Sequence, residues 1–206
     1  MKENMPHNSR KTANEELPIE YHPLQPFLPE TTRVLFLGSF PPQQKRWCMP
    51  FFYPNYINDH WRIMGSVFFN NRNYFVDEAN KSFVLERIKP FIQTQGIGYY
   101  DTATAVRRLK DNASDKYLEV VIPTDVKALI SPLHSLRVIA VTGERAAETL
   151  CSLFGIEVPK VGTYKDIGSE GGTVVYRLPS SSRAYPLAYD KKVEAYRQMY
   201  QFAGML

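Results

Sequence analysis

Cysteine is nearly missing from this chain of 206 residues, which carries only Cys48 and Cys151. Two thiols exclude a disulfide framework and a cysteine-based zinc site, and they point to a reducing, cytoplasmic setting. Histidine is scarce too, and His7, His22, His60 and His134 stand at no spacing a metal requires. No apolar run nears the roughly 20 residues needed to span a bilayer. The opening segment, MKENMPHNSRKTANEELPIE, lacks the apolar stretch of a secretory leader. It is polar and reads as a disordered tail over residues 1–20, with one domain expected over 21–206. A Walker-type phosphate loop, a G-x-G-x-x-G after a strand and a G-x-S-x-G elbow are all absent. The usual signatures of phosphate-loop, dinucleotide and serine-hydrolase sites are therefore missing, and neither cofactor nor metal is expected.

What is present suits a soluble globular fold, with 44% hydrophobic and 22% charged residues. The net charge of +4 and the pI near 9.0 are compatible with a nucleic-acid partner, although many enzymes are this basic. Aromatic residues make up 13% of the chain. They could stack on bases or simply fill a core.

Four apolar runs predict buried strands: RVLFLG at 33–38, GIGYYD at 96–101, RVIAVTG at 137–143 and TVVYRLP at 173–179. The first and third lack alternation, as strands covered on both faces do. Between them lie helical patterns. NDHWRIMGSVFF has Asn58 as a cap with Trp61, Met64 and Phe68 on one face. SFVLERIKPFIQTQG is expected to break near Pro90, PTDVKALI is capped by Thr124, and GERAAETLCSLFG closes at Gly155. A hairpin turning at 168–172 and a last helix capped by Asp190 complete the order. Strands alternating with helices predict an α/β fold, a three-layer α/β/α sandwich with a short, mainly parallel central sheet. In such sheets ligands bind beyond the carboxyl ends of the strands, here GSFPP, YYDT, VTGERA and LPSSSRAYP.

Those strand ends carry a resemblance. Gly38-Ser39-Phe40-Pro41, the pair Phe51-Phe52, Asn58-Asp59-His60-Trp61-Arg62-Ile63, Gly96-Ile97 to Asp101, Ser114-Asp115, Gly143 with Ala146 and Ala147, and Leu178-Pro179-Ser180-Ser181-Ser182 follow in this order. The set resembles the uracil-DNA glycosylase superfamily, most closely its hypoxanthine-DNA glycosylase branch, from about Val34 to the final helix. The resemblance implies a monomeric, monofunctional glycosylase that hydrolyses the bond to a deaminated base, uracil or hypoxanthine, in DNA. A catalytically silent nucleic-acid- or nucleotide-binding module on the same fold is the alternative. Family members have P-R-N before the tryptophan, whereas PNYIN is two residues longer, so Asn55 and Asn58 both stand as candidates. Asn58 keeps the three-residue spacing to Trp61. Leu178 occupies the place of a base-polarising histidine, and Asp101 that of a base-reading asparagine.

Breaking an N-glycosidic bond develops positive charge on the sugar and negative charge on the base. An asparagine can orient the attacking water, and Asn58 is the expected catalytic residue; capping a helix is its other reading. Gly38, Ser39, Phe40, Phe51, Phe52 and Asp101 are expected around the flipped base. Asp101 either accepts from a base N–H or caps a turn. Ser180, Ser181, Ser182, Arg183 and Tyr185, with Arg107, Arg108 and Lys191, are expected along the DNA. Turn capping is the alternative for the serines, and a solvated loop for the arginines.

Overall fold

The computed structural model describes residues 17–110, 115–168 and 172–206. Residues 169–171 of the turn expected at 168–172 and Ser114 lie outside the described residues, as do the first sixteen positions. The elements are strands β1 (Ile19–Tyr21) and β2 (Val34–Gly38), helix α1 (His60–Phe69), the hairpin β3 (Val76–Asp77) and β4 (Ser82–Phe83), and helix α2 (Leu85–Gln95). Strands β5 (Ile97–Asp101), β6 (Ala103–Arg108) and β7 (Leu118–Pro123) follow, then α3 (Val126–Ile130), β8 (Val138–Val141) and α4 (Glu144–Phe154). Strands β9 (Tyr164–Asp166) and β10 (Val174–Arg177) precede α5 (Tyr189–Phe202).

The main sheet has the order β5-β2-β8-β10-β9. Its first four strands are parallel, and β9 pairs antiparallel to β10 as the expected hairpin. Val34, Leu35, Phe36 and Leu37 on β2 are buried one after another, as is every residue of β8. Successive strand side chains point to opposite faces, so both faces of the sheet centre are covered. The fold is therefore α/β with a mixed sheet.

Several local expectations are corrected. Ile19 and Glu20 are not tail: with Tyr21 they form β1, which pairs with β6, which pairs with β7, in a second, antiparallel sheet. Pro90 does not break α2, because it sits on the exposed side while Ile88 and Ile92 stay buried. Helix α1 starts at His60 with Asp59 rather than Asn58 at the cap position, and α3 is capped by Asp125, which accepts from the Ala128 N–H at 3.0 Å. Thr124 instead donates its hydroxyl to the Asp101 carbonyl at 2.7 Å. Asp190 lies inside the first turn of α5, after Ala188. Helix α4 does end at Gly155, whose left-handed φ of 66° closes it as glycine readily can.

Candidate functional site

At the carboxyl ends of β2, β5 and β8 lies a cleft of about 440 Å³, closed by the loop after β10. Gly38, Asp101 and Gly143 line it, and Ser180, Ser181 and Ser182 carry the fourth wall. Leu178 itself is buried beneath them. Ser39, Phe40, Phe52, Asn55, Asn58, Arg108 and Arg183 also reach this space. The parallel strands deliver these loops together because all four point the same way.

Asn58 faces the serine loop. The two residues Asn58 and Ser182 form an isolated antiparallel bridge, and the Asp59 N–H donates to the Ser181 carbonyl at 3.0 Å. Arg183 Nε donates to Asp59 Oδ1 at 3.0 Å, so a buried carboxylate ties the same loops by charge. From below, Lys192 Nζ donates to the Ser182 carbonyl at 2.7 Å. Burial of Lys192 pulls its ammonium below the ordinary lysine range, with Asp59 opposing.

The Asn58 Oδ1 accepts from the His60 N–H at 2.9 Å. That is the capping role, satisfying an orphan donor at the start of α1. It also fixes the amide with its carbonyl toward the helix, and a carbonyl oxygen has a second lone pair for another donor. Asn55 makes the corresponding turn, accepting from the Ile57 N–H at 3.1 Å. Both roles can coexist at Asn58.

Asp101 is neither free nor a turn cap. Its Oδ2 accepts from His22 Nε2 at 2.8 Å. A Cβ on residue 38 would collide with Asp101 Oδ1, so the glycine of GSFPP makes room for this carboxylate. Two of the three loop serines do cap locally, Ser180 Oγ accepting from the Ser182 N–H and Ser182 Oγ from the Ala184 N–H, each at 3.2 Å. Ser39 differs: its buried Oγ has no hydrogen-bond partner among the described residues.

Other expected residues fall elsewhere. Phe51 is core, packed on Phe27 and Trp61, while Phe52 reaches the cleft. Arg107 and Arg108 do not form one basic stripe, because neighbours on β6 point to opposite faces. Arg107 pairs with Glu119 at 3.5 Å, and Arg108 takes both Glu20 oxygens while donating to the Pro41 carbonyl. Lys191 is exposed on α5 and Tyr185 lies outside the cleft lining. Sequence reasoning missed His22, Arg46, Ile57 and Tyr100. Arg46 and Ile57 sit exposed at the rim, where apolar patterning carries no signal.

No protein-family model and no curated protein matches this chain. Among solved structures it is similar to a Methanosarcina acetivorans protein described as a candidate uracil DNA glycosylase, solved in solution by NMR. The TM-score is 0.58 over 91% of this chain and 99% of that one, at 22% identity. The fold is shared. At that identity the agreement concerns the backbone, and the side-chain chemistry must be argued from the cleft.

Proposed function

We propose that the protein is a monofunctional DNA glycosylase of the uracil-DNA glycosylase superfamily, hypoxanthine-type branch, that excises a deaminated base. In this reading it is a cytoplasmic monomer whose helices sandwich the sheet in three layers. The observation that carries the proposal is Asn58, with its carbonyl oriented by the His60 N–H and its backbone clamped to the serine loop beside a base-sized cleft. A flipped nucleotide would enter with its base against Phe52 and Phe40 and one edge toward Asp101. The second lone pair of the Asn58 oxygen would take a hydrogen of a water below C1′. The water oxygen forms the new bond to C1′, and the N-glycosidic bond breaks with its electron pair going to the base. The water's proton passes to solvent or to the departing base. The Ser180 to Ser182 loop would hold the flanking phosphate through hydroxyl and backbone donors.

One feature favours the catalytically silent module: Leu178 offers no donor to a departing base. Oligonucleotides bearing one uracil, hypoxanthine or xanthine, followed by alkaline cleavage of abasic sites, separate the two. Strand breaks dependent on the protein are expected for uracil or hypoxanthine. Retarded migration without breaks would establish the silent module instead.

A further inference from the structure

We propose that His22 is a positioning residue that holds the Asp101 carboxylate as the acceptor that reads the base, so that the accepted base must turn an N–H toward this wall. The proposal rests on the glycosylase reading and deepens it. His22 follows β1 in the small antiparallel sheet, and its own N–H continues the ladder by donating to the Thr104 carbonyl at 2.8 Å. The imidazole is almost fully buried, with 2% of its side chain exposed. Its ring lies 4.7 Å from Tyr100, 5.3 Å from Phe40 and 6.3 Å from Phe52. Nδ1 sits 2.8 Å from the Leu24 carbonyl and 3.1 Å from the Leu24 nitrogen, which fixes the ring plane. Nε2 is thereby aimed at Asp101 Oδ2 from 2.8 Å.

A carboxylate at this depth is costly without a donor, and His22 supplies one. Because Oδ2 is occupied, Oδ1 against Gly38 is the oxygen left for a ligand in the cleft. An ionised carboxylate cannot donate. It therefore complements the N3–H of uracil or the N1–H of hypoxanthine, and it repels a carbonyl or an unprotonated ring nitrogen presented in that place. Without the imidazole, the carboxyl group can rotate, and Oδ1 is no longer held toward the cleft. A rotated carboxylate no longer presents its lone pair where the base N–H arrives, and the discrimination is lost. Sites built around a buried hydrogen bond discriminate strongly against analogues that lack it.

The test compares wild type with His22→Phe, which fills the same space without a donor, and His22→Gln, which restores an N–H. Each is measured for excision under single turnover, for binding to a lesion oligonucleotide against its undamaged match, and for thermal melting. His22→Phe is expected to lose 10-fold or more of the lesion preference in binding, and His22→Gln to recover most of it. Asp101→Asn serves where His22→Phe fails to fold. With its carbonyl held by His22 it turns an NH2 into the cleft, and it is expected to lose the preference too. Full lesion preference in a folded His22→Phe, or in Asp101→Asn, overturns the proposal while leaving the glycosylase reading intact. Loss of preference in His22→Gln equal to that in His22→Phe also overturns it, since the donor is then irrelevant. A wild type that neither cleaves nor prefers any lesion removes the glycosylase reading, and this inference with it.

Discussion

Gly38→Ala gives a test of the cleft that needs no substrate. Gly38 is not among the glycines with positive φ, so alanine can adopt its backbone without strain. A glycine-to-alanine change at a compatible site stabilises by about 0.4–1 kcal/mol through the unfolded chain. Here the added methyl collides with Asp101 Oδ1, whose position is fixed on its other side by His22. Overpacking of a fixed neighbour costs about 1–3 kcal/mol, and rotating the carboxylate away would cost its buried hydrogen bond as well. The clash wins. In a chain of this length each kcal/mol moves the melting temperature by about 2–4 °C, so a fall of roughly 2–10 °C is expected.

The double variant isolates the cause. Asp101→Ala alone leaves the His22 N–H without its acceptor, which costs about 1–3 kcal/mol. Combined with Gly38→Ala, the second methyl enters space the carboxylate has vacated, and the collision term disappears. The double variant should therefore melt higher than the sum of the single shifts requires, with a coupling of about 1 kcal/mol or more. Additive shifts, or a Gly38→Ala protein as stable as its parent, would refute the reasoning.

Three further outcomes are expected. Asn58→Ser should keep an acceptor for the His60 N–H and melt within about 1–2 °C of wild type, yet lose excision; Asn55→Ser should retain excision, and the reverse result would move the catalytic role to Asn55. Tyr99, Tyr196 and Tyr200 are pushed well above the ordinary tyrosine range, chiefly by burial. Their stabilising contribution is complete below about pH 10 and is lost as the unfolded chain begins to ionise, so late tyrosinate absorbance should coincide with loss of helical circular dichroism; full ionisation in a folded protein would contradict this. Binding to duplex DNA should show a log–log salt slope of about −1 to −3, because Arg107, Arg108 and Arg183 are already paired with acids. A slope steeper than about −4 would show that those pairs open on DNA.

The main sheet was legible because each of its parallel strands is a mainly apolar run followed closely by glycine, aspartate or proline. Their common direction followed from the helices between them, and so did the convergence of GSFPP, YYDT and PSSS. The small sheet was not legible. Residues 19–21 are three polar and apolar positions whose strand exists only because Ile19 meets Arg107, far along the chain. The basic residues misled for a related reason: a charge in sequence says nothing about the acid that meets it in space. Arg108 finds Glu20 and Arg183 finds Asp59, both across long stretches of chain.

His22 shows why the polar side of the cleft escaped the sequence. Its meaning lies wholly in its partner, since a lone histidine before a proline carries no pattern. The same holds across the site. The Asn58 oxygen holds a backbone N–H, Asp101 Oδ2 holds an imidazole, Asp59 holds Arg183, and the Ser182 carbonyl holds a buried lysine. Such groups are already oriented in the free protein, and electrostatic catalysis depends on donors and acceptors that need not reorganise as charge develops. What they leave for a ligand is the second lone pair on Asn58 and the second oxygen on Asp101. Ser39 adds a hydroxyl that is buried at the cleft wall without a partner among the described residues. A buried hydroxyl left unpaired costs about 1–3 kcal/mol. A base carbonyl arriving there would relieve that cost, beside a carboxylate that accepts only an N–H. The neighbouring N–H and C=O of a deaminated base edge would then meet a donor just past the end of β2 and an acceptor at the end of β5.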